Sequence, residues 1–388
     1  MVTGIAAGDL TQNQMGGSSS WQTDRSGASK EVEIALFEVG GGGSTERALQ
    51  KAIELGADVA SVSRGGIDTC DGNFAGVDEA VYQAYDSGLF VSISAGNEGH
   101  SGNNCTLAGH ADNLSGFVVG ALGNSETEIT YSNYSSSNVW TGSSRGGIDV
   151  TTNGALRQKA ATAVAAVTPG CAQYKFVYDN TFVEGTGVCA TSYSQPLVAG
   201  AALLAKHFML ANGYTLINSD GALFVTLLAM TDRANSQSTY KSSGFDSLWG
   251  GGRFQTRLFT NADHSGGGWA WGYQEVRLAQ SGWVTVNVGG VGSEPSWMNQ
   301  FKAYLVFMEE DTQDIADIDM YVYDKDCGSG AAQLGSDTSY DTKSMVRLSG
   351  SQAAGKALCI KLHGYYMPPG AARLAHLFWY YSADVSMR

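Results

Sequence analysis

The chain has 388 residues, of which 43% are hydrophobic and 15% charged, and its formal net charge is −14 at neutral pH. Such a composition supports a packed core and excludes wholesale disorder, and the length allows two domains. The negative charge would repel a phosphate backbone, and no apolar stretch is long enough to span a bilayer. We therefore expect neither a nucleic-acid partner nor a membrane span.

From Glu31 to about Leu228, within a predicted first domain of residues 1–258, the sequence alternates between strand-like and helix-like segments. The predicted strands are 32–37, 58–63, 89–94 and 117–122, and the predicted helices are 45–55, 77–85 and 192–211. This alternation predicts an α/β fold, with a parallel sheet covered by helices on both faces. In such sheets, ligand-binding groups collect at the carboxyl ends of the strands. Residues 123–188 are polar and are predicted to form loops with a few short strands.

Two segments of this region carry residues suited to acyl-transfer chemistry. Ser192 stands at the start of the longest predicted helix, where backbone N–H groups and the helix dipole favour developing negative charge. Asn97 follows the predicted strand 89–94 in the turn Ala95-Gly96-Asn97. Taken singly, Ser192 could be an ordinary helix N-cap and Asn97 an ordinary turn residue.

Together these segments resemble the subtilisin-like (subtilase) serine protease family. The segment ATSYSQPLVAG at 190–200 is similar to the family's nucleophile motif, SAGNEG at 94–99 to its oxyanion segment, and GADVASVSRGG at 56–66 to its peptide-binding strand. Ala190 departs from the family's glycine, and Arg64 stands where the family usually has an apolar residue. The three motifs occur in the family's order.

The resemblance implies a serine endopeptidase that acts on protein or peptide substrates without a cofactor. Ser192 would form the acyl-enzyme and Asn97 would stabilise the oxyanion. The substrate-binding residues would be Ser63, Arg64 and Gly65, together with Ala95 and Gly96 of the oxyanion segment. The segment 63–66 would pair with the bound peptide as an added strand.

The family's catalytic aspartate and histidine have no matching motif in this sequence. The opening MVTGIAAG resembles the end of the family's His-Gly-Thr-x-Val-x-Gly motif, which would put the histidine just upstream of Met1. We therefore expect a truncated sequence of an active protease, and the fragment itself to be inactive. The alternatives are a catalytically inactive pseudoprotease that binds peptides or surfaces, and an adhesion protein whose function resides in residues 259–388.

The cysteines and the first residues of the chain give information about the cellular location of the protein. Pairing successive cysteines predicts the disulfides Cys70–Cys105, Cys171–Cys189 and Cys327–Cys359, although other pairings of six cysteines exist. Disulfides indicate a secreted or extracellular protein. No signal peptide is recognisable at Met1, which again favours a start further upstream. Six buried free thiols in a cytosolic protein are the alternative.

The pattern changes after residue 258 to short strand-like segments separated by turns. These segments lie at 283–288, 303–308, 318–323, 345–348, 357–362 and 377–381, and they predict an all-β sandwich over residues 259–388. The segment ADIDMYVYD at 316–324 resembles the pre-peptidase C-terminal domains of secreted proteases. Asp317, Asp319 and Asp324 could contribute to a Ca²⁺ site, but solvent-facing carboxylates are the preferred interpretation.

Overall fold

The structure is a computed structural model, and the description covers those residues whose placement it defines. They are residues 32–37, 39, 44–66, 76–101, 106–123, 139–146, 166–169, 174–178, 181–185, 190–215, 219–232, 249–254, 269–288, 300–309, 315–338 and 342–382.

The first half of the chain folds around a six-stranded sheet. Its strands are β1 (Val59–Val62), β2 (Phe90–Ser94), β3 (Phe117–Leu122), β4 (Ala166–Pro169), β7 (Thr231–Asp232) and β8 (Arg253–Phe254). Their spatial order is β1-β2-β3-β4-β8-β7, and every neighbouring pair is parallel except β7 with β8. A separate hairpin joins β5 (Tyr174–Tyr178) to β6 (Thr181–Gly185). The predicted parallel sheet is confirmed.

In the described part of this region, four α-helices accompany the sheet: α1 (Ser44–Glu54), α2 (Val77–Asp86), α3 (Thr191–Ala211) and α4 (Ser219–Ala229). Small residues along α3, such as Ala201, Ala202 and Ala205, are fully buried and bring its backbone close to its neighbours. Helix α4 is a helix that the sequence patterns did not single out. Its segment ALFVTLLA is apolar all round, and such a helix must be buried on most sides because it has no polar face for water.

The prediction of a buried strand at 32–37 was wrong. These residues have no regular secondary structure, and Ile34, Leu36 and Phe37 are exposed, with Leu36 at 79% of its full accessibility. Among the described strands, β1 is the edge of the sheet and pairs only with β2. A run of apolar residues can favour an extended conformation, but a strand also requires a partner for its backbone hydrogen bonds.

The second half of the chain is a sandwich of two four-stranded antiparallel sheets. The outer sheet has the order β10-β15-β12-β13, and the inner sheet has the order β14-β11-β16-β9. The outer strands are β10 (Trp283–Asn287), β12 (Asp317–Tyr323), β13 (Gln333–Asp337) and β15 (Cys359–Tyr366). The inner strands are β9 (Trp269–Ala279), β11 (Gln300–Phe307), β14 (Lys343–Ser349) and β16 (Ala372–Ser382). A short helix, α5 (Gly350–Ala353), follows β14. The predicted sandwich is confirmed, with β9 and β13 as additional strands.

The inner sheet is buried on both faces. In β11, Phe301, Ala303 and Leu305 face the outer sheet, whereas Tyr304 and Val306 belong to a second core shared with α4. This explains why seven consecutive residues of β11 are buried. Strands buried on both sides lose the alternation of apolar and polar residues that marks a half-exposed strand.

The predicted disulfide Cys327–Cys359 is present, with 5.7 Å between the two Cα atoms. The other two predicted disulfides lie outside the described residues. The predicted domain boundary at residue 258 does so as well, and it stays a prediction. Within the described part of the chain, no helix is both long and apolar enough to cross a membrane.

A buried hydrogen-bond chain links the inner sheet to helix α2. His376 of β16 is fully buried, and its Nε2 lies 2.9 Å from Tyr85 Oη of α2. Its Nδ1 lies 2.8 Å from Tyr273 Oη of β9, and that hydroxyl lies 3.1 Å from Glu275 Oε1. Because a carboxylate can only accept, Tyr273 donates to Glu275 and accepts from His376 Nδ1–H, so Nε2 accepts from Tyr85. The histidine is therefore held in one neutral tautomer.

The surroundings of His376 resist its protonation. Helix α4 passes so close that a Cβ atom on Gly221 would lie 2.2 Å from Nε2, and the buried Asp220 precedes that glycine. Burial lowers the pKa of His376 from its usual 6.5 to about 4. Burial also raises the pKa of Asp220 well above its usual value, which weakens this carboxyl group as a stabiliser of an imidazolium.

We predict that His376 makes the fold sensitive to acid. Between pH 6.5 and about 4, His376 is protonated in the unfolded chain but neutral in the folded protein. Stability is therefore lost as the pH falls through this window, by up to about 3 kcal/mol from this residue. Urea unfolding of the wild type and of His376→Asn at a series of pH values measures the effect, and the variant should show a shallower dependence. An equally steep loss in His376→Asn would contradict the prediction; the exposed His207→Asn is the control and should behave as wild type.

Candidate functional site

The predicted site residues come together at the carboxyl end of the parallel sheet. Strands β1 and β2 end at Val62 and Ser94, and the segments that follow them meet the first turn of α3. Ser63 Oγ lies 3.3 Å from the backbone oxygen of Ser192. Asn97 Oδ1 accepts the backbone N–H of Thr191 at 3.0 Å. The structure thus unites segments that are about a hundred residues apart in sequence.

Asn97 has a defined orientation. Its Oδ1 accepts the Thr191 N–H, and Thr191 Oγ1 lies 3.1 Å from the same oxygen. Because a backbone N–H can only donate, the atom facing it must be the oxygen of the amide. The Nδ2 group, which carries two donor hydrogens, therefore points away from Thr191. The side chain is exposed, so these donors can reach a ligand.

Asn97 also takes the place of an N-cap for helix α3. The N-cap position is Ala190, whose side chain cannot accept a hydrogen bond, and the Asn97 amide oxygen satisfies the first N–H of the helix instead. Ala190 has φ −160° and ψ 147°, an extended conformation open to any residue. Alanine in place of glycine therefore introduces no backbone strain at this position.

The segment Ala95-Gly96 is fixed by its backbone. Ala95 is buried, its N–H donates to Val119 O at 3.0 Å, and its carbonyl accepts from Ala108 N at 2.8 Å. Gly96 has φ 107°, and an added Cβ would lie 2.9 Å from Ser144 Oγ, so a side chain is excluded on both grounds. Gly96 N–H donates to Thr191 Oγ1 at 3.1 Å.

Thr191 is therefore the residue that joins the two segments, and the sequence analysis gave it no role. It is fully buried, and its hydroxyl accepts from Gly96 N–H while lying 3.1 Å from two acceptors, Gly96 O and Asn97 Oδ1. The single hydroxyl proton goes to one of them. Its position immediately before Ser192 was the only available signal.

Gln195 is a second residue that sequence analysis missed. It is fully buried one turn after Ser192, where its Oε1 accepts from Ser63 Oγ at 2.8 Å and from Ser61 Oγ at 3.1 Å. Its Nε2 donates to Ser92 O at 3.0 Å. One side chain thus ties α3 to both β1 and β2. A buried glutamine on an otherwise apolar helix indicates such a role, because its polar atoms need partners.

The segment 63–66 leaves the sheet at its edge. Arg64 O accepts from Ser94 Oγ at 3.3 Å, and Gly66 O accepts from Gly109 N at 2.9 Å, so both carbonyls point into the protein. In an extended segment, successive residues point their N–H and C=O groups to opposite sides. Those of Gly65, which is exposed, therefore face outward.

The side chain of Arg64 turns toward helix α1. Its Nη1 donates to Thr45 Oγ1 at 3.2 Å, and His110 Nε2 lies 3.1 Å from the same hydroxyl. Burial lowers the pKa of His110, and the guanidinium of Arg64 lowers it further. Both effects favour a neutral imidazole beside this arginine.

No histidine within the described ranges forms a hydrogen bond to Ser192 Oγ. His100 packs its ring edge-on against Trp140, and His110 pairs with Thr45. His207 lies on α3 itself, fifteen residues and therefore about 22 Å along the helix from Ser192. The other two described histidines, His363 and His376, are in the sandwich.

The acidic residues proposed for calcium have other contacts. Asp324 Oδ1 accepts from Ala332 N at 2.6 Å, and Asp319 Oδ2 accepts from Tyr321 Oη at 2.9 Å. As far as the chain is described, no three His, Cys, Asp or Glu side chains converge in a way that could hold a metal ion.

A protein-family model matches the chain from its first residue to beyond its midpoint. The model of the subtilase family matches residues 1–237, which is more than half of the chain. No curated protein matches the chain in sequence.

Several solved structures are similar at low identity. Sphericase is 22% identical, with a TM-score of 0.45, over 66% of this chain and 76% of its own. The prenylagaramide maturation protease PagA is 18% identical, with a TM-score of 0.41, over 60% of this chain and 70% of its own. The patellamide maturation protease PatA is 17% identical, with a TM-score of 0.41, over 56% of this chain and 67% of its own.

We predict that the Thr191 hydroxyl stabilises the fold. Thr191→Val preserves the shape of the side chain but leaves the buried Gly96 N–H without its acceptor, which should cost about 1–3 kcal/mol. Thr191→Ser retains the hydroxyl and should lose less. Chemical denaturation of the three proteins measures the difference. The prediction fails if Thr191→Val and Thr191→Ser destabilise equally, since the hydroxyl group would then make no separate contribution.

Proposed function

This chain belongs to the subtilase family of serine peptidases, and from that premise we propose that it cleaves peptide bonds through an acyl-enzyme on Ser192. The observation that carries the proposal is the hydrogen bond between Asn97 Oδ1 and Thr191 N–H. It joins the proposed oxyanion donor to the helix that bears the proposed nucleophile.

In this proposal, negative charge develops at the first turn of α3. Ser192 is half-buried in that turn, beside the positive end of the helix dipole. When its Oγ attacks a carbonyl carbon, the carbonyl oxygen becomes an oxyanion. Asn97 Nδ2 and the Ser192 backbone N–H then donate to that oxygen. Thr191 and Gln195 position these donors without touching the substrate.

We propose that the substrate chain pairs with the segment 63–66. The outward N–H and C=O of Gly65 would make two main-chain hydrogen bonds with an extended peptide. Such pairing involves no side chain of the substrate, so it is compatible with many protein or peptide substrates. Ser63 and Arg64, with Ala95 and Gly96 across the site, would complete the wall around the residue before the scissile bond.

Within the described residues, no general base is hydrogen-bonded to Ser192 Oγ. A serine hydroxyl is a weak nucleophile without a base to accept its proton. Since no described histidine forms a hydrogen bond to Ser192 Oγ, we propose that the 388 residues alone turn over slowly. The alternative is a catalytically inactive protein that binds peptides along 63–66. The lack of a hydrogen bond between Ser192 Oγ and any described histidine also favours this alternative.

A secreted or extracellular location is proposed on the basis of the Cys327–Cys359 disulfide. Disulfides persist in oxidising compartments and are rare in the cytosol.

Ser192 is predicted to be the residue that reacts. In the protein isolated from its natural source, a fluorophosphonate probe should label Ser192, and peptide mapping by mass spectrometry identifies the labelled residue. Ser192→Ala should abolish labelling and reduce casein hydrolysis by about 10⁶, a loss known for subtilisin. The neighbouring Ser194→Ala is the matched control and should still be labelled. Binding of casein peptides without labelling would favour the inactive scaffold, and labelling of Ser192→Ala would refute the nucleophile assignment.

Asn97 is predicted to have two separate functions. Its Nδ2 group stabilises the transition state, and its Oδ1 atom caps helix α3. Asn97→Ala should lower kcat by about 10²–10³, the magnitude known for the corresponding amide of a subtilisin. Asn97→Asp retains an oxygen for Thr191 N–H but loses the donor, so it should match the wild type in thermal stability and match alanine in kcat. Steady-state kinetics and thermal unfolding of both variants measure the two functions. Full activity of Asn97→Asp would rule out the oxyanion role.

A further inference from the structure

The solvent face of the outer sheet carries a cluster of aromatic rings. Strand residues alternate, so Val284, Ile318 and Leu362 point into the sandwich core while their neighbours point outward. We call the outward cluster the aromatic face, and it consists of Trp283, Tyr321, Tyr323, His363 and Tyr365. Register places these rings side by side, with Trp283 opposite His363 in the pairing of β10 with β15.

Trp283 and Tyr365 are far more exposed than is usual for aromatic residues. Trp283 is 55% exposed and Tyr365 is 63% exposed, and within the described part of the sandwich they are the two exposed large apolar side chains. Both lie on the aromatic face. A contiguous exposed aromatic surface of this kind marks an interaction site, since burial of the same rings would otherwise stabilise the fold.

The rings are held in place before any ligand arrives. The Trp283 ring stacks on His363 with centroids 4.2 Å apart and planes at 15°, and its centroid is 5.8 Å from that of Tyr321. Beneath them the buried Asp319 accepts from Tyr321 Oη at 2.9 Å and lies 3.7 Å from His363 Nδ1. This arrangement leaves the second face of the indole as a rigid, flat platform, so binding would cost little ordering entropy.

The surroundings of the platform are polar but nearly uncharged. On β10, Thr285 and Asn287 point to the same side of the sheet as Trp283. On β13, Ser336 and Gln333 lie opposite the tyrosines of β12. Each of these side chains can both donate and accept hydrogen bonds. The charged residues in register with the rings are Lys361 and Asp319, which have opposite signs, and the buried Asp317 adds a negative charge near Tyr321. Lys361 Nζ lies 5.3 Å from the centre of the Tyr323 ring.

These features select among ligands with flat faces. Nucleobases stack on aromatic rings, but a chain with a net charge of −14 repels their phosphates, and it repels acidic glycans for the same reason. A proline-rich peptide can stack, but its prolines have no N–H to donate to the acceptors around the platform. A neutral sugar ring offers a flat C–H face together with hydroxyls that both donate and accept.

We propose that the aromatic face binds neutral polysaccharides. A pyranose ring stacks on Trp283, and its hydroxyls bond to the amide and hydroxyl side chains of β10 and β13. The sandwich thereby attaches the chain to an insoluble glycan matrix. This activity is distinct from peptide hydrolysis and needs neither Ser192 nor a catalytic base.

The test is retention of the full chain on insoluble neutral polysaccharides. The protein is incubated with cellulose, chitin and starch, with gelatin beads as the polypeptide comparison, and depletion isotherms give the affinities. Retention on at least one glycan is expected. Trp283→Ala should weaken it at least about tenfold, as is typical for a central aromatic anchor, and Tyr365→Ala should weaken it less. Leu210→Ala removes a side chain of similar exposure, 50%, from helix α3 and should bind as wild type.

Several results would overturn the proposal. They are no retention on any of the three glycans, undiminished retention of Trp283→Ala, and retention on gelatin alone, which would indicate a polypeptide ligand. Trp283 is more than half exposed, so its replacement should lower the thermal unfolding midpoint by only a few degrees, and this midpoint verifies that a loss of binding is local. Ser192→Ala should bind glycan as the wild type does, so failure of this proposal and failure of the peptidase proposal are distinguishable.

Discussion

The burial of helix α3 is the constraint on which the rest of this structure depends. Its small apolar residues pack closely against the parallel sheet and against α4, and its polar Gln195 bonds to β1 and β2. A buried glutamine with all its partners satisfied permits one axial position and one rotation of the helix. The first turn, with Thr191 and Ser192, is therefore held against Asn97. The geometry of the candidate site follows from the packing of the core.

The sandwich contributes to the same core. Because the inner sheet is buried on both faces, its aromatic residues Tyr304, Phe378 and Tyr380 pack in one cluster with residues of α4 and of β2 and β3. Polar contacts cross the same boundary, including the bond from Ser115 Oγ to Glu309 O at 3.0 Å and the buried chain through His376. Removing the sandwich would expose the apolar side of α4. The two halves of the chain therefore depend on each other for stability.

The two sheets of the sandwich differ in function for a physical reason. The inner sheet is largely covered on both sides, so most of its surface contributes to the packed core. The outer sheet buries one side, which leaves the other free to hold Trp283, His363 and Tyr321 above Asp319. If both proposals hold, one chain combines a peptide-cleaving site at the edge of the parallel sheet with a glycan-binding surface on the opposite layer.

Local patterns in the sequence determined much of this protein. Apolar periodicity placed most helices and strands within a few residues, and the motifs around Asn97 and Ser192 indicated the family, because both signals lie within short segments. The strand predicted at 32–37 failed because a strand needs a partner, and pairing depends on residues far along the chain. For the same reason, only the tertiary structure revealed that Thr191 and Gln195 connect the site, that His376 is buried between layers and that Trp283 stacks on His363. Each of these contacts joins segments whose proximity no local pattern encodes.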